Sequence, residues 1–207
     1  MKKRCLWPGD DDLYIRYHDE EWGVPVHDDK VLFENLCLEG QQAGLSWITI
    51  LKKRNNYRHA FYNFNIKKVS NMTDKEIIIL LKDEGIIRNK LKLFSIRNNA
   101  KAFLKIQKEF NSFDNYIWSF TNRKSIDTKN KNTLNNNCKL LLSNNISSEL
   151  KKRGFKFVGP TICYAYLQAV GIINDHEKDC FRYKELKSLY SSVLLKGINL
   201  KKRIMSE

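Results

Sequence analysis

Wherever apolar residues cluster in this 207-residue chain they recur at three- and four-residue spacing, and nowhere do they alternate in twos over a strand's length. That pattern excludes a sheet protein and predicts an all-α fold. Leu93, Ile96, Ala100, Phe103 and Leu104 place one long amphipathic helix over roughly 88–109. Asp28 or Asp29 can cap a helix from Lys30 that carries Leu32, Phe33, Leu36 and Cys37 on one face. Thr73 and Glu76 have capping-box spacing ahead of an Ile-Leu run. Residues 113–120 form a short apolar helix, and 161–170 another that Gly171 can end at its C′ position. Residues 122–145, rich in Asn and Lys around a small apolar island at 140–142, read as loop. Ser147 or Ser148 then caps the next helix. With no internal repeat, 1–183 read as a single domain of two helical lobes and 184–207 as a C-terminal extension, helical in places.

Hydrophobic residues at 42% and aromatics at 12% supply too much core material for a disordered chain. No apolar run reaches the roughly 20 residues of a transmembrane helix. The basic opening meets Pro8 and then Asp10, Asp11 and Asp12 where a signal peptide needs an apolar stretch. A cytoplasmic protein with no membrane partner is expected, and without any sign of oligomerisation, a monomer. Thirty-seven Lys and Arg against 23 Asp and Glu leave a net charge of +14, which favours a polyanion such as nucleic acid. The Lys-, Ile- and Asn-rich composition of an AT-biased genome accounts for part of that excess. Five cysteines, at 5, 37, 138, 163 and 180, are odd in number and widely spaced, which argues against a disulfide framework. Cys37 and Cys163 sit in apolar helical runs and read as core.

Three constellations carry possible chemistry. Around 147–171 a basic helix with Lys151, Lys152 and Arg153 ends at Gly154, and Lys156 lies in the turn before Gly159-Pro160-Thr161 opens the next helix. Unpaired N–H groups at such a helix start can hold a phosphate, although a plain two-helix turn has the same spacing. Cys5, His18, His176 and Cys180 offer two thiols and two imidazoles, the last two residues at i, i+4. They form either a closed zinc site or separate buried cysteines and hydrogen-bonded histidines. Tyr14, Tyr17 and Trp22 crowd together with acids, and Glu39 directly follows an apolar helix face ahead of Trp47. Stacking rings with one carboxylate suit a flipped purine; equally, the tryptophans are core and Glu39 pairs with an Arg.

The same stretches carry a family resemblance. Residues 13–25 (Leu-Tyr-Ile-Arg-Tyr-His-Asp-Glu-Glu-Trp-Gly-Val-Pro), 36–49 (Leu-Cys-Leu-Glu-Gly-Gln-Gln-Ala-Gly-Leu-Ser-Trp-Ile-Thr), 51–54, 85–88 and the run from Leu150 to His176 closely resemble the bacterial DNA-3-methyladenine glycosylase I family of the helix-hairpin-helix superfamily. The likeness runs from about residue 4 to 180. It implies that Cys5, His18, His176 and Cys180 hold a structural zinc joining the two ends of the fold. It implies also that Glu39, Tyr17 and Trp47 form the base pocket, with Tyr14 and Trp22 beside them, and that Gly44 and Leu45 wedge into the duplex. Lys151, Lys152, Lys156, Gly159 and Thr161 fall on the hairpin that grips DNA.

The implied activity is base excision: hydrolysis of the N-glycosidic bond of 3-methyladenine in double-stranded alkylated DNA by base flipping, leaving an abasic site. Pro160-Thr161 stands where bifunctional relatives place a nucleophilic Lys, and the four clustered cysteines of iron–sulfur relatives are missing, so the monofunctional reaction is expected. Asp175 falls near the place of the bifunctional relatives' helper Asp, and is read either as assisting the chemistry or, more simply, as orienting His176. The reading of a different class is a zinc-stabilised helix-hairpin-helix protein that binds DNA without catalysis.

Overall fold

The computed structural model describes residues 2–129 and 136–187, with the backbone alone for 136–139. The chain is mostly helical. α1 (Asp12–Glu20) starts at Asp11, whose carboxylate accepts from the N–H groups of Leu13 and Tyr14. α2 (Asp29–Gln42) starts at Asp28, which accepts from Val31 N–H. α3 (Trp47–Ala60), α4 (Ile66–Ser70) and α5 (Asp74–Ile79) follow, and the capping box of Thr73 and Glu76 is fully formed. The long helix is α6 (Lys90–Phe110), packed on α4 and followed by α7 (Phe113–Ser119).

α2 is the axis of the molecule, touching α3, α6, α7 and the last long helix. Its Asp29 carboxylate also accepts from the Phe113 and Asp114 N–H groups, which ties α2 to the start of α7. Stacked rings of Phe103 and Phe113, 4.1 Å between centroids, close the core between α6 and α7. Burial of such side chains, each worth about 1.5–3 kcal/mol, is what makes these short helices persist.

Three expectations change. The Asn-rich stretch is partly helical: α8 (Asn136–Lys152) begins well inside it, while 130–135 lie outside the described residues. Asn and Lys are poor to middling helix formers, and it is the packing of Ile146 and Leu150 against the neighbouring helix that extends the element. Ser147 therefore caps nothing; its hydroxyl donates to the Val158 carbonyl and pins the following turn. A small sheet is also present, β1 (Ile126–Asp127) parallel to β2 (Ile173–Asn174). Two residues are too few for a two-residue alternation to register.

After the turn at 153–159, α9 (Pro160–Ala169) packs against α8. Gly171 has φ +73° just beyond its end, and a Cβ there would lie 2.4 Å from the Pro25 nitrogen. Only glycine lets the 24–26 segment run across the end of α9. Residues 181–187 are helical, with Leu186 buried; 188–207 lie outside the described residues. No helix among the described residues is long and apolar enough to cross a membrane.

Candidate functional site

α1, α2, α3 and α9 converge on one cavity of about 310 Å³. Tyr14 and Tyr17 reach it from α1, Glu39 and Gln42 from the last turn of α2, Trp47 from the first turn of α3, and Ala165 and Gln168 from α9. Trp22 and Trp7 complete the wall. The Tyr17 and Trp47 rings lie 5.5 Å apart, and Trp7 meets Tyr14 and Trp22 edge-on at 4.8 and 5.0 Å. Such a cavity takes a flat ring system.

Its polar groups are unusual. Glu39 is 3% exposed, and its Oε2 has no hydrogen-bond partner among the described residues; the Trp47 indole N–H is likewise buried and unpaired. An unpaired buried polar atom costs about 1–3 kcal/mol, and of the buried unpaired side-chain atoms among the described residues these two belong to side chains lining the cavity, where a ligand could pair with them. Burial lifts the Glu39 carboxyl to about 8. Asp175, also on the cavity wall, is held differently. Burial pushes its pKa up, but hydrogen bonds from Thr128, Tyr164, Lys129 and Gln168 outweigh that and keep it below the ordinary carboxylate range.

Beyond Trp22 lies the second constellation. Cys5, His18, His176 and Cys180 are all buried and bring one ligand atom each to within 4.8 Å of one another. His176 Nε2 donates to the Trp22 carbonyl, which leaves Nδ1 facing Cys5 Sγ at 3.5 Å and Cys180 Sγ at 3.6 Å. His18 Nδ1 is taken by Asp19, leaving Nε2 facing Cys180 Sγ at 3.5 Å. Burial lowers the pKa of both imidazoles, so each presents a lone pair at neutral pH. The Trp22 ring stands against both, centroid distances 6.3 Å to His18 and 4.5 Å to His176. The cysteine–histidine set and the cavity thus share a wall. Asp175 was expected to orient His176; that part falls to the Trp22 carbonyl, and Asp175 belongs to the cavity.

On the outer rim, the turn after α2 carries Gly44 and Leu45, both exposed. At the α8–α9 turn Lys151, Lys152, Lys156 and Thr161 are exposed and Gly159 caps α9. Arg153 is engaged instead with Glu109. Sequence reasoning brought forward Tyr14, Tyr17, Trp22, Glu39 and Trp47 but missed Trp7, Gln42, Ala165 and Gln168, and did not place Asp175 in the cavity. A tryptophan next to Pro8 carries no periodic signal, and the segment before Trp7 is held by the buried Cys5 and by the backbone bond from Phe181 N–H to the Lys3 carbonyl.

Relatives match this chain along nearly their whole length. A DNA-3-methyladenine glycosylase of Haemophilus influenzae is 48% identical over 180 residues, 87% of this chain and 97% of that one. A crystal structure of 3-methyladenine DNA glycosylase I superimposes with a TM-score of 0.79 at 45% identity, covering 86% of this chain and 98% of that one. A Tyr-to-Phe variant of 3-methyladenine DNA glycosylase I, solved in complex with 3-methyladenine, matches with a TM-score of 0.79 at 38% identity over 86% of this chain and 96% of that one. The family model for methyladenine glycosylase spans residues 7–183, the stretch that contains every wall of the cavity. The chain belongs to the methyladenine glycosylase family.

Proposed function

We propose that the protein is a monofunctional base-excision repair glycosylase that hydrolyses the N-glycosidic bond of 3-methyladenine in alkylated duplex DNA and leaves an abasic site. One observation carries the reading: an aromatic cavity holds a buried carboxyl oxygen and an indole N–H with no partner. A flipped purine supplies what is missing. Its amino edge donates to Glu39, while the rings of Trp47 and Tyr17 flank its faces. Methylation at N3 makes the base cationic in DNA, which adds about 0.5–2 kcal/mol of cation–π attraction to the stacking.

The chemistry asks little of a general acid. The glycosidic bond breaks with its electron pair passing to the base, which departs neutral; water adds at the anomeric carbon and gives its proton to solvent. The protein's part is extrusion, recognition and electrostatic support of an oxocarbenium-like sugar. Gly44 and Leu45 are read as the wedge that fills the emptied stack. The α8–α9 turn is read as a helix-hairpin-helix, with Lys151, Lys152 and Lys156 on phosphates and the N–H groups near Gly159 and Thr161 facing one more.

The Cys5, His18, His176 and Cys180 set fits zinc. Bonds of about 2.3 Å to sulfur and 2.0 Å to nitrogen at tetrahedral angles would put sulfur and nitrogen about 3.5 Å apart, and three of the sulfur–nitrogen pairs already lie 3.5 to 3.6 Å apart. Bound there, the ion supplies structural cross-linking of the two ends of the domain, taken as 1–183, and no step of the reaction. We read the enzyme as a cytoplasmic monomer. A DNA-binding protein without catalysis gives no reason to keep Glu39 Oε2 unpaired. Incubation with methylated duplex DNA, followed by chromatography of the free bases, tests the reading: 3-methyladenine is expected, and tight DNA binding with no base released overturns it.

A further inference from the structure

Lys92 is a buried cation with no acidic partner among the described residues. It is 6% exposed, and among the described residues it makes no ion pair. Its Nζ instead donates to the carbonyl oxygens of Gln41 and Ala43, both at 2.7 Å. These lie at the C-terminal end of α2, where carbonyls lack intrahelical partners and the helix dipole is negative. Desolvating an ammonium is costly, and a methionine would fill the same space without that cost. The charge therefore calls for an explanation beyond packing.

The geometry of the turn supplies one. Gln42, Ala43, Gly44 and Leu45 form a tight turn closed by the Leu45 N–H on the Gln42 carbonyl at 2.6 Å. Ala43 has φ −43° and ψ 116°, and Gly44 has φ +77°. Those are the values of a type II β-turn, about (−60°, +120°) then a positive φ. Type II differs from type I by a flip of the central peptide, the one whose oxygen is Ala43 O. A donor fixed on that oxygen holds the peptide in the type II orientation.

Lys92 is itself fixed. Gln41, fully buried, donates through Nε2 to the Lys92 carbonyl at 3.0 Å, and its Oε1 accepts from the Tyr57 hydroxyl, which in turn accepts from Ile87 N–H. The base of the turn is a closed buried network, while its tip, Leu45, is 40% exposed.

We infer that Lys92 is a positioning residue: by clamping the Ala43 carbonyl it locks the Gly44–Leu45 turn in the one conformation that presents Leu45 to the duplex, and so acts on base extrusion rather than on the chemistry. The inference rests on the reading of that turn as the wedge.

The test separates extrusion from recognition. Lys92→Met removes both donors at similar volume. Binding of free 3-methyladenine, followed by quenching of the cavity tryptophans, should stay within twofold of wild type. Single-turnover excision from a methylated duplex should fall about tenfold or more, the scale of a lost charge-assisted hydrogen bond. A merely structural role would not give this split, because Glu39 sits on the same helix one turn back and a loosened α2 would weaken free-base binding in parallel. Lys92→Gln provides a second variant at the same position, which removes the charge but keeps a neutral donor on the side chain. It should show the same split to a smaller degree, and it tests Lys92 itself if Lys92→Met does not fold. Excision from duplex within twofold of wild type in a folded variant, or parallel loss of free-base binding, overturns the inference. Failure of the wild type to release any base overturns the functional reading instead, before a variant is made.

Discussion

Glu39→Gln should make the protein more stable and nearly inactive, and the gain in stability should depend on pH. Burial raises the carboxyl from its ordinary 4.5 to about 8, for the side chain is 3% exposed and Oε2 finds no partner among the described residues to offset the desolvation. The folded state thus holds this proton more tightly than the unfolded chain. As pH rises above about 4.5 the unfolded form ionises and gains stability relative to the folded one, and the loss continues until pH 8, where the folded form ionises too. At about 1.4 kcal/mol per pH unit, linkage puts the wild-type loss between pH 5 and pH 8.5 at about 4 kcal/mol. Glutamine keeps the shape and does not titrate. The melting-temperature gap between variant and wild type should therefore widen by roughly 10 °C from pH 5 to pH 8.5, taking about 2–4 °C per kcal/mol for a chain of this size. Excision should fall on the order of a hundredfold, as when a preorganised hydrogen bond to the reacting group is lost. Thermal melts of both proteins at the two pH values decide it. A gap that does not change with pH would show that Glu39 is neither desolvated nor unpaired, and the argument for the cavity would go with it.

Other outcomes follow from the same geometry. The purified protein should carry one zinc per chain by elemental analysis, and Cys180→Ala should abolish it and cost several kcal/mol in urea melts, with free-base binding weakened through Trp22. Gly171→Ala should destabilise by about 2–4 kcal/mol in the same melts, because both the positive φ and the contact with Pro25 oppose a Cβ. Lys151→Ala and Lys156→Ala should each reduce the slope of log affinity against log salt for duplex DNA by about 1, whatever the base sequence. An unchanged slope would place the phosphates elsewhere.

What the sequence made legible has a common physical basis. α2, α5 and α9 begin or end on local chemistry, namely Asp28, the Thr73 and Glu76 box and Gly171, and α6 shows itself by its long apolar period, so their positions can be read from neighbours in the chain. The start of α8 cannot, since its Asn-rich first turns owe their helicity to contacts made further along. Glu39 stood out because an acid on an apolar face is chemically odd. Trp7 and Gln168 did not, because each is ordinary in its own segment and becomes part of the cavity only when distant segments meet. Lys92 is the instructive case. In an amphipathic helix it reads as one more solvated lysine beside Leu93, and only the fold shows it reaching across to the end of α2.

The wall shared by the cysteine–histidine cluster and the cavity bears on how the enzyme comes into being on the ribosome. Trp22 takes its place from His176, and His176 from partners at 5, 18 and 180, so a nascent chain carries all the rings of its reading head long before it can assemble them. A complete cavity then has to wait for the late residues, because its wall runs to Asp175 and the cluster behind Trp22 is completed at Cys180. A half-made enzyme loose on the chromosome would have nowhere to put a base.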